Sequence, residues 1–248
     1  MTTLHARRSS LRILGVRVDD VTADETLTCL DQFVAERAPR QICTVNPEFV
    51  MGAQRDEIFR NVINQAALCI PDGIGLLWAA RRLGHPLRER VAGSTLVGQI
   101  AERAAQKGWR LYLLGAAPGV AEQAASILQR RYPGLNIVGT FPGSPSPDDE
   151  DAIVERIRAA RPDVLFVAFG APTQDVWIAR NQLRLQVPVA MGVGGSLDFV
   201  AGAAKRAPRW VQRIGLEWLY RLIREPWRWR RQLALPRFVW QVLRAKQH

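Results

Sequence analysis

Four short segments of the chain place polar or glycine residues directly after apolar runs, the pattern of strand ends that meet a ligand. In Thr44-Val45-Asn46-Pro47-Glu48, Thr44 and Asn46 close an apolar run, and residues of these types either cap a following helix or hold a polar ligand. In Ile70-Pro71-Asp72-Gly73-Ile74-Gly75, Pro-Asp-Gly reads as a turn. Asp72 nonetheless lies between apolar segments, where a carboxylate at a strand end in a cleft is placed to abstract a proton. The third segment runs from Gly170 through Pro172 to Gln174 and Asp175. Gly170 admits close approach of a ligand to the backbone, and Gln174 both donates and accepts. The fourth, Gly192 to Asp198, offers Gly194 and Gly195 ahead of a helix start, a candidate phosphate cradle. A fifth turn, Gly115-Ala116-Ala117-Pro118-Gly119, lacks the Gly-x-Gly-x-x-Gly spacing, so a redox dinucleotide role is weakly supported. Asn46, Gly115, Gly170, Pro172, Gly194, Gly195 and Asp198 are therefore the nucleotide- or substrate-binding candidates, and spacing alone does not name a reaction.

These loops need a scaffold, and the sequence supplies one by alternating short β-rich runs with helical patterns. Strands are expected at 41–45, just before Pro71, at 110–115, 136–140, 164–169 and 187–193. Helices are expected at 23–36, 47–65, 118–131 with Pro at its first position, 148–160 with an acidic first turn, and 174–186. Continuous apolar strands separated by helices of this length predict an α/β fold: a Rossmann-like, mostly parallel sheet with helices on both faces. Residues 143–147, rich in Pro, Ser and Gly, read as a surface loop.

Charge divides the chain. The net charge is +11, yet residues 205–248 hold 12 basic residues against Glu217 and Glu225, so residues 1–204 are close to neutral. Five of the eight Trp also lie in this tail, which separates it from a merely solubilising basic segment. The composition shift near Ala204 predicts a catalytic-type α/β domain over 1–204 and a helical cationic appendage over 205–248. Helical periodicity runs over 208–224, Pro226 opens a second helix and a third follows Pro236. Arg and Trp on amphipathic helices suit an anionic membrane surface, with nucleic acid as the rival partner and a solvated helix face as the third reading. Arg221, Arg224, Arg228 and Arg231, spaced 3, 4 and 3 apart, share one face if the helix carries through Pro226.

The apolar content of 48% is sufficient for a real core, which sets aside disordered and fibrous classes. Cys29, Cys43 and Cys69 stand alone and the three His do not complete a zinc spacing, so no metal site is expected. The N-terminal segment has no apolar h-region and no run of 18 apolar residues occurs, so a cytoplasmic protein that does not span a membrane is expected.

The strings TVNPEFV (44–50), PDGIGLLWAAR (71–81), RVAGSTL (90–96), FGAPTQDVWI (169–178), VGGSLDFVAGAAKRAP (193–208) and GLEWLYRLIREPWRWRR (215–231), together with LYLLGAAPGVAEQA (111–124), resemble the WecG/TagA/CpsF family of bacterial glycosyltransferases. The resemblance runs in order over most of the chain. It implies inverting transfer of a sugar from a UDP donor to an undecaprenyl-diphosphate-linked sugar, in cell-surface polysaccharide synthesis and without a required metal. N-acetylmannosamine, its uronic acid and glucose are the implied donor sugars, and the UDP-sugar is a substrate, so no cofactor is expected. By the same resemblance Asp72 is the general base, Thr44 and Gln174 support catalysis or substrate placement, and the glycine loop ending at Asp198 surrounds UDP. Arg221, Arg228 and Arg231 fall on a cationic appendage that, by the resemblance, docks on the inner face of the plasma membrane and helps to complete the active site, with no nucleic-acid partner; a homo-oligomer is compatible with this reading. Where the family commonly has Asp in the RVxG segment, this chain has Thr95 after Ser94, a residue that either contacts the sugar or caps a helix, which leaves the donor sugar open. The alternative from another class is a non-enzymatic nucleotide-binding module whose basic tail holds nucleic acid.

Overall fold

The computed structural model describes residues 9–208, 210–211, 216–224, 226 and 229–245, without the side chains of 221, 230 and 231. An antiparallel hairpin of β1 (Ser10–Ile13) and β2 (Val16–Asp19) precedes the main sheet. Six parallel strands follow in the order β4-β3-β8-β7-β5-β6. They are β3 (Arg40–Val45), β4 (Leu68–Pro71), β5 (Arg110–Gly115), β6 (Asn136–Phe141), β7 (Val164–Ala168) and β8 (Val189–Gly192). The expected α/β fold is present. β3, β4, β7 and β8 are buried almost throughout because helices cover both faces, which is why β4, β7 and β8 read as apolar runs, while β3 also buries Gln41 and Thr44.

Alternate residues of each strand enter different cores. Ile42, Ile70, Phe166 and Met191 pack under α1 (Ala23–Glu36), α5 (Gly93–Lys107), α6 (Val120–Arg131) and α9 (Ser196–Ala201). On the other face, Cys43, Val45 and Cys69 meet the hairpin, α2 (Pro47–Ala53), α3 (Glu57–Gln65) and α4 (Ile74–Arg82), while Leu165 and Val167 meet α7 (Pro147–Ala160) and α8 (Thr173–Leu185). Adjacent strands β3 and β8 therefore send their following helices, α2 and α9, to opposite faces. A crevice opens where neighbouring connections diverge in this way.

Several boundaries depart from expectation for local reasons. The helix expected over 47–65 is two helices, because the Asp56 side chain accepts from Phe59 N at 2.9 Å and starts α3 afresh. The helix expected from Pro118 begins at Val120, since Gly119 at φ 84° cannot be a helical residue. The α7 start falls at Pro147, one residue before the expected 148, with Ser146 as cap. The hairpin was not expected; it is tied to the sheet by Asp19, which accepts from Cys69 N at 2.8 Å and pairs with Arg17.

In the tail, α10 (Glu217–Arg224), α11 (Trp229–Gln232) and α12 (Ala234–Arg244) follow one another. The helix expected over 208–224 falls partly outside the described residues, as do residues 1–8 of the segment read for a leader. α12 starts two residues before Pro236, which occupies its first turn, a position that needs no amide donor. Phe238 and Val242, 1% and 0% exposed, dock α12 on α2 and α4. No helix of the described residues is long and apolar enough to cross a membrane.

Candidate active site

Strand register brings the first two loops together. Val45 pairs with Pro71, and the Asp72 amide donates to Val45 O at 2.7 Å, so Asn46 and Asp72 leave the sheet side by side. Register does the same for the other two: Val167 pairs with Gly192 and Val193 N donates to Val167 O at 2.8 Å. The four strand ends surround one cavity of about 840 Å³. Thr44, Asn46, Asp72, Gly170, Gln174, Gly194, Gly195 and Asp198 all border it.

Asp72 is half-buried and faces this cavity, with Oδ2 accepting from the Gly93 amide at 3.1 Å. Burial pushes its carboxyl up to about 6, opposed by the Gly93 hydrogen bond and by Arg90 and Arg206, and reinforced by the negative charge of Glu217. A carboxylate with this proton affinity is ionised at neutral pH and is a stronger base than a solvated one. Gly93 makes the arrangement sterically feasible. A Cβ there would stand 3.1 Å from Thr44 Cγ2 and 3.4 Å from Asp72 Oδ2, so glycine lets the start of α5 come this close without displacing its neighbours.

Gln174 is 2% exposed and ties two loops together, its Oε1 accepting from Gly170 N at 3.1 Å and Gly194 N at 3.0 Å. A Cβ on Gly192 would lie 2.5 Å from Gln174 Nε2, so glycine at that strand end admits the amide. The expected phosphate cradle is correspondingly smaller than the glycine pattern implies. Gly194 N is engaged by Gln174 and Ser196 N by Val193 O at 3.0 Å, so neither amide is spare. Asn46 caps α2, its Oδ1 accepting from Phe49 N at 3.0 Å, and also borders the cavity.

Two expected residues fall elsewhere. Gly115 ends β5, outside the cleft. It is glycine because a Cβ there would meet the Ala168 backbone carbon at 2.8 Å, and its φ is 93°. Pro172 stands at the start of α8 and borders a smaller cavity of about 230 Å³ next door, with Arg55 and Arg237. Of the tail arginines, Arg224 is exposed and sits 5.6 Å over the Tyr220 ring, away from the cavity wall. Arg228 and the side chains of Arg221 and Arg231 lie outside the described residues. Thr95 is exposed and accepts from Arg206 Nη2 at 3.1 Å. Among the described residues no cluster of three His, Cys, Asp or Glu is placed to hold a metal ion.

The residue pattern alone did not pick out Arg90, Gly93, Glu48, Trp78, Glu217 and Trp218, all of which border the cavity. RVAGSTL did contain the first two. What it lacked was a sign that Gly93 meets Asp72, 21 positions away.

A parallel α/β sheet with a base-strength carboxylate in a cleft at its carboxyl edge, flanked by loops tied through an amide side chain, defines a Rossmann-like enzyme. The chain belongs to the WecG/TagA/CpsF family of glycosyl transferases, whose pattern it matches over residues 11–248. It is 37% identical over 206 residues to an N-acetylglucosaminyldiphosphoundecaprenol N-acetyl-beta-D-mannosaminyltransferase of Bacillus spizizenii, covering 83% of this chain and 79% of the relative. It is 35% identical over 237 residues to the protein of the same description from Staphylococcus aureus strain MW2, covering 95% and 92%. Family membership makes the chain a glycosyltransferase and removes the non-enzymatic reading.

Proposed function

We propose that the protein transfers N-acetylmannosamine from a UDP donor to the sugar of an undecaprenyl-diphosphate-linked acceptor, with inversion. The named activity of the relatives supports the sugar and the acceptor, and narrows the three donor sugars that the sequence left open. The observation that carries the chemistry is Asp72 facing the shared cavity with its carboxyl raised to about 6.

In this reading the acceptor hydroxyl attacks the anomeric carbon from the side opposite the leaving diphosphate. Asp72 takes the hydroxyl proton as the new bond forms, a contribution of about 10²- to 10⁴-fold. Thr44, beside Gly93 and Asp72, shapes the floor of the cleft, and Gln174 holds the Gly170 and Gly194 loops around the donor. The growing charge on UDP is met by preorganised dipoles and cations, Arg90 being the arginine that the described cavity wall supplies, with no cofactor taking part.

Residues 205–248 form the membrane-binding unit in this proposal. Trp229, Trp240, Leu243 and Ile223 are 52%, 53%, 52% and 70% exposed, on helices that also carry exposed arginines such as Arg224 and Arg244. Indole and aliphatic groups of this kind enter the headgroup region while arginines meet lipid phosphate, each basic residue adding about 1 kcal/mol. The enzyme then works at the inner face of the plasma membrane, where its acceptor is anchored.

The test is transfer by the full-length protein from UDP-N-acetylmannosamine, its uronic acid analogue and UDP-glucose to a short-chain lipid-diphosphate acceptor, on vesicles with and without anionic lipid. Turnover with the first donor alone, faster on anionic vesicles, is expected. Turnover with none of the three, or undiminished turnover by Asp72→Asn, overturns the assignment.

A further inference from the structure

The two long tail helices are held in different ways. α12 is fixed by burial of Phe238 and Val242. α10 leaves Trp218, Leu219 and Ile223 at 39%, 36% and 70% exposure, and among the described residues its main helix neighbour is α11. Even so, the first turn of α10 forms part of the cavity wall: Glu217 and Trp218 border the same space as Asp72. A helix with this little burial needs another tie to hold a wall in place.

Arg206 provides one. It lies in the connector after α9, which is anchored by Ala204 N donating to Asp198 O at 3.1 Å and by Ala207, 5% exposed. Its Nε donates to Glu217 Oε1 at 3.3 Å while its Nη2 donates to Thr95 Oγ1 at 3.1 Å. Thr95 is in the first turn of α5, two residues beyond the Gly93 amide that holds Asp72. One guanidinium thus joins the helix start that orients the carboxylate to the tail helix that walls the cleft. The fork of a guanidinium suits this task, since it offers donors in two directions from one plane. The side chains of Arg206 and Glu217 are 26% and 27% exposed, so the pair is partly sheltered from the solvent that weakens surface ion pairs.

We propose that Arg206 is a positioning residue: with Thr95 and Glu217 it latches the first turn of α10 over Asp72 and so completes the wall against which the lipid-linked acceptor sugar binds. This rests on Asp72 being the site of reaction. Neither hydrogen bond of Arg206 goes to the Gly170 and Gly194 loops that the proposed function places around the donor. Its loss therefore weakens acceptor binding and leaves donor binding alone.

The experiment compares the full-length protein with R206Q, E217Q, T95V and the charge exchange R206E/E217R, using a short-chain lipid-diphosphate acceptor, with hydrogen exchange of the amides of 217–224 as a second readout. R206Q and E217Q are expected to raise the acceptor KM about tenfold, the size of effect from losing a half-buried charged hydrogen bond, and to speed exchange in α10 with the donor KM unchanged. T95V is expected to raise the acceptor KM about threefold, and the charge exchange to recover most of the loss because either polarity bridges the same gap. Unchanged acceptor KM and α10 exchange in both R206Q and E217Q overturn the latch, as does a defect that the charge exchange leaves as large as in R206Q. Asp72→Asn in the same assay separates this from the active-site assignment. If D72N is inactive and R206Q is normal, only the latch fails; if D72N is fully active, the site itself is elsewhere.

Discussion

The carboxyl end of β4 and the first turn of α8 each carry an aspartate whose proton affinity burial has raised, Asp72 to about 6 and Asp175 to about 7. Their surroundings differ in kind. Asp72 faces a cavity, accepts from the Gly93 amide and has arginines and a glutamate nearby. Asp175 is 0% exposed and neither of its carboxylate oxygens has a hydrogen-bond partner; Gln174 and Cys43 lie beside it and moderate its affinity without reaching hydrogen-bonding geometry. An ionised carboxyl at position 72 is supported by donors and by access to water and substrate. At position 175 the neutral acid is what the fold tolerates. Proton affinity by itself therefore does not mark a catalytic group: access to the cavity and a hydrogen bond in good geometry distinguish the base from the buried acid.

The sharpest way to break this contrast is at Asp72. Asp72→Asn keeps size and shape but removes the proton acceptor, and a fall in kcat of about 10²- to 10⁴-fold is expected with UDP affinity retained, measured by turnover and by nucleotide titration. In the unaltered enzyme kcat/KM should rise with pH through about 6 and level off above it, because Asp72 must lose its proton before it can accept one. A rate flat from pH 5 to 8 would assign the base elsewhere.

Gln174 joins the two regions, since it is the residue before Asp175 and holds the Gly170 and Gly194 loops of the cleft. Gln174→Ala removes both bonds and is expected to lower kcat/KM about tenfold and stability by about 1–2 kcal/mol, read from kinetics and urea unfolding. A loss of stability with normal kinetics would confine Gln174 to the fold.

Much of this was legible in advance, and the misses have causes. β5, β7 and β8 announce themselves because strands buried on both faces are mostly apolar, and β3 does so less cleanly because it buries Gln41 and Thr44 among Ile42, Cys43 and Val45. The strand-end residues Thr44, Asp72, Gln174 and Gly194 were legible for the converse reason, being polar or flexible where apolar runs stop. Gly115 had the same local appearance, yet its strand lies beyond β7 and its glycine serves the contact with Ala168, a fact of register that no window of sequence contains. Gly93, Arg206 and Glu217 were missed because their partners are 21, 111 and 11 positions away. The break between α2 and α3 was missed because apolar spacing continues across Asp56, whose capping bond appears only once Phe59 is in a helix.

Asp175→Asn tests the other half of the contrast. Unfolded, this carboxyl titrates near the usual value of about 4; folded, it does so near 7. Between these values the unfolded chain binds fewer protons than the native one, so stability falls as pH rises through that window, and the loss is complete above about 7. Integrated, the loss amounts to at most about 4 kcal/mol. Asp72 contributes in the same direction between about 4 and 6, but it is unchanged in the variant and cancels in the comparison. Asp175→Asn is accordingly expected to match or fall slightly below the unaltered protein at pH 5 and exceed it at pH 8.5 in urea unfolding, with kcat within about threefold. Equal pH dependence in the two proteins would mean that Asp175 is ionised at no cost and that the contrast with Asp72 is false.

The smallest expected effect is at Gly93 and asks how much of Asp72's behaviour is packing. Gly93→Ala leaves the amide donor in place but adds a methyl against Thr44 Cγ2 and Asp72 Oδ2, at 3.1 and 3.4 Å. The neighbours must give by a few tenths of an ångström, and the methyl displaces solvent from the carboxylate, which disfavours its charged form. A loss of activity of a few fold is expected, together with a shift of the acid limb of kcat/KM to higher pH. If the rate falls while the limb stays where it was, Gly93 serves only to let α5 approach, and the proton affinity of Asp72 is set by its depth in the fold rather than by the wall beside it.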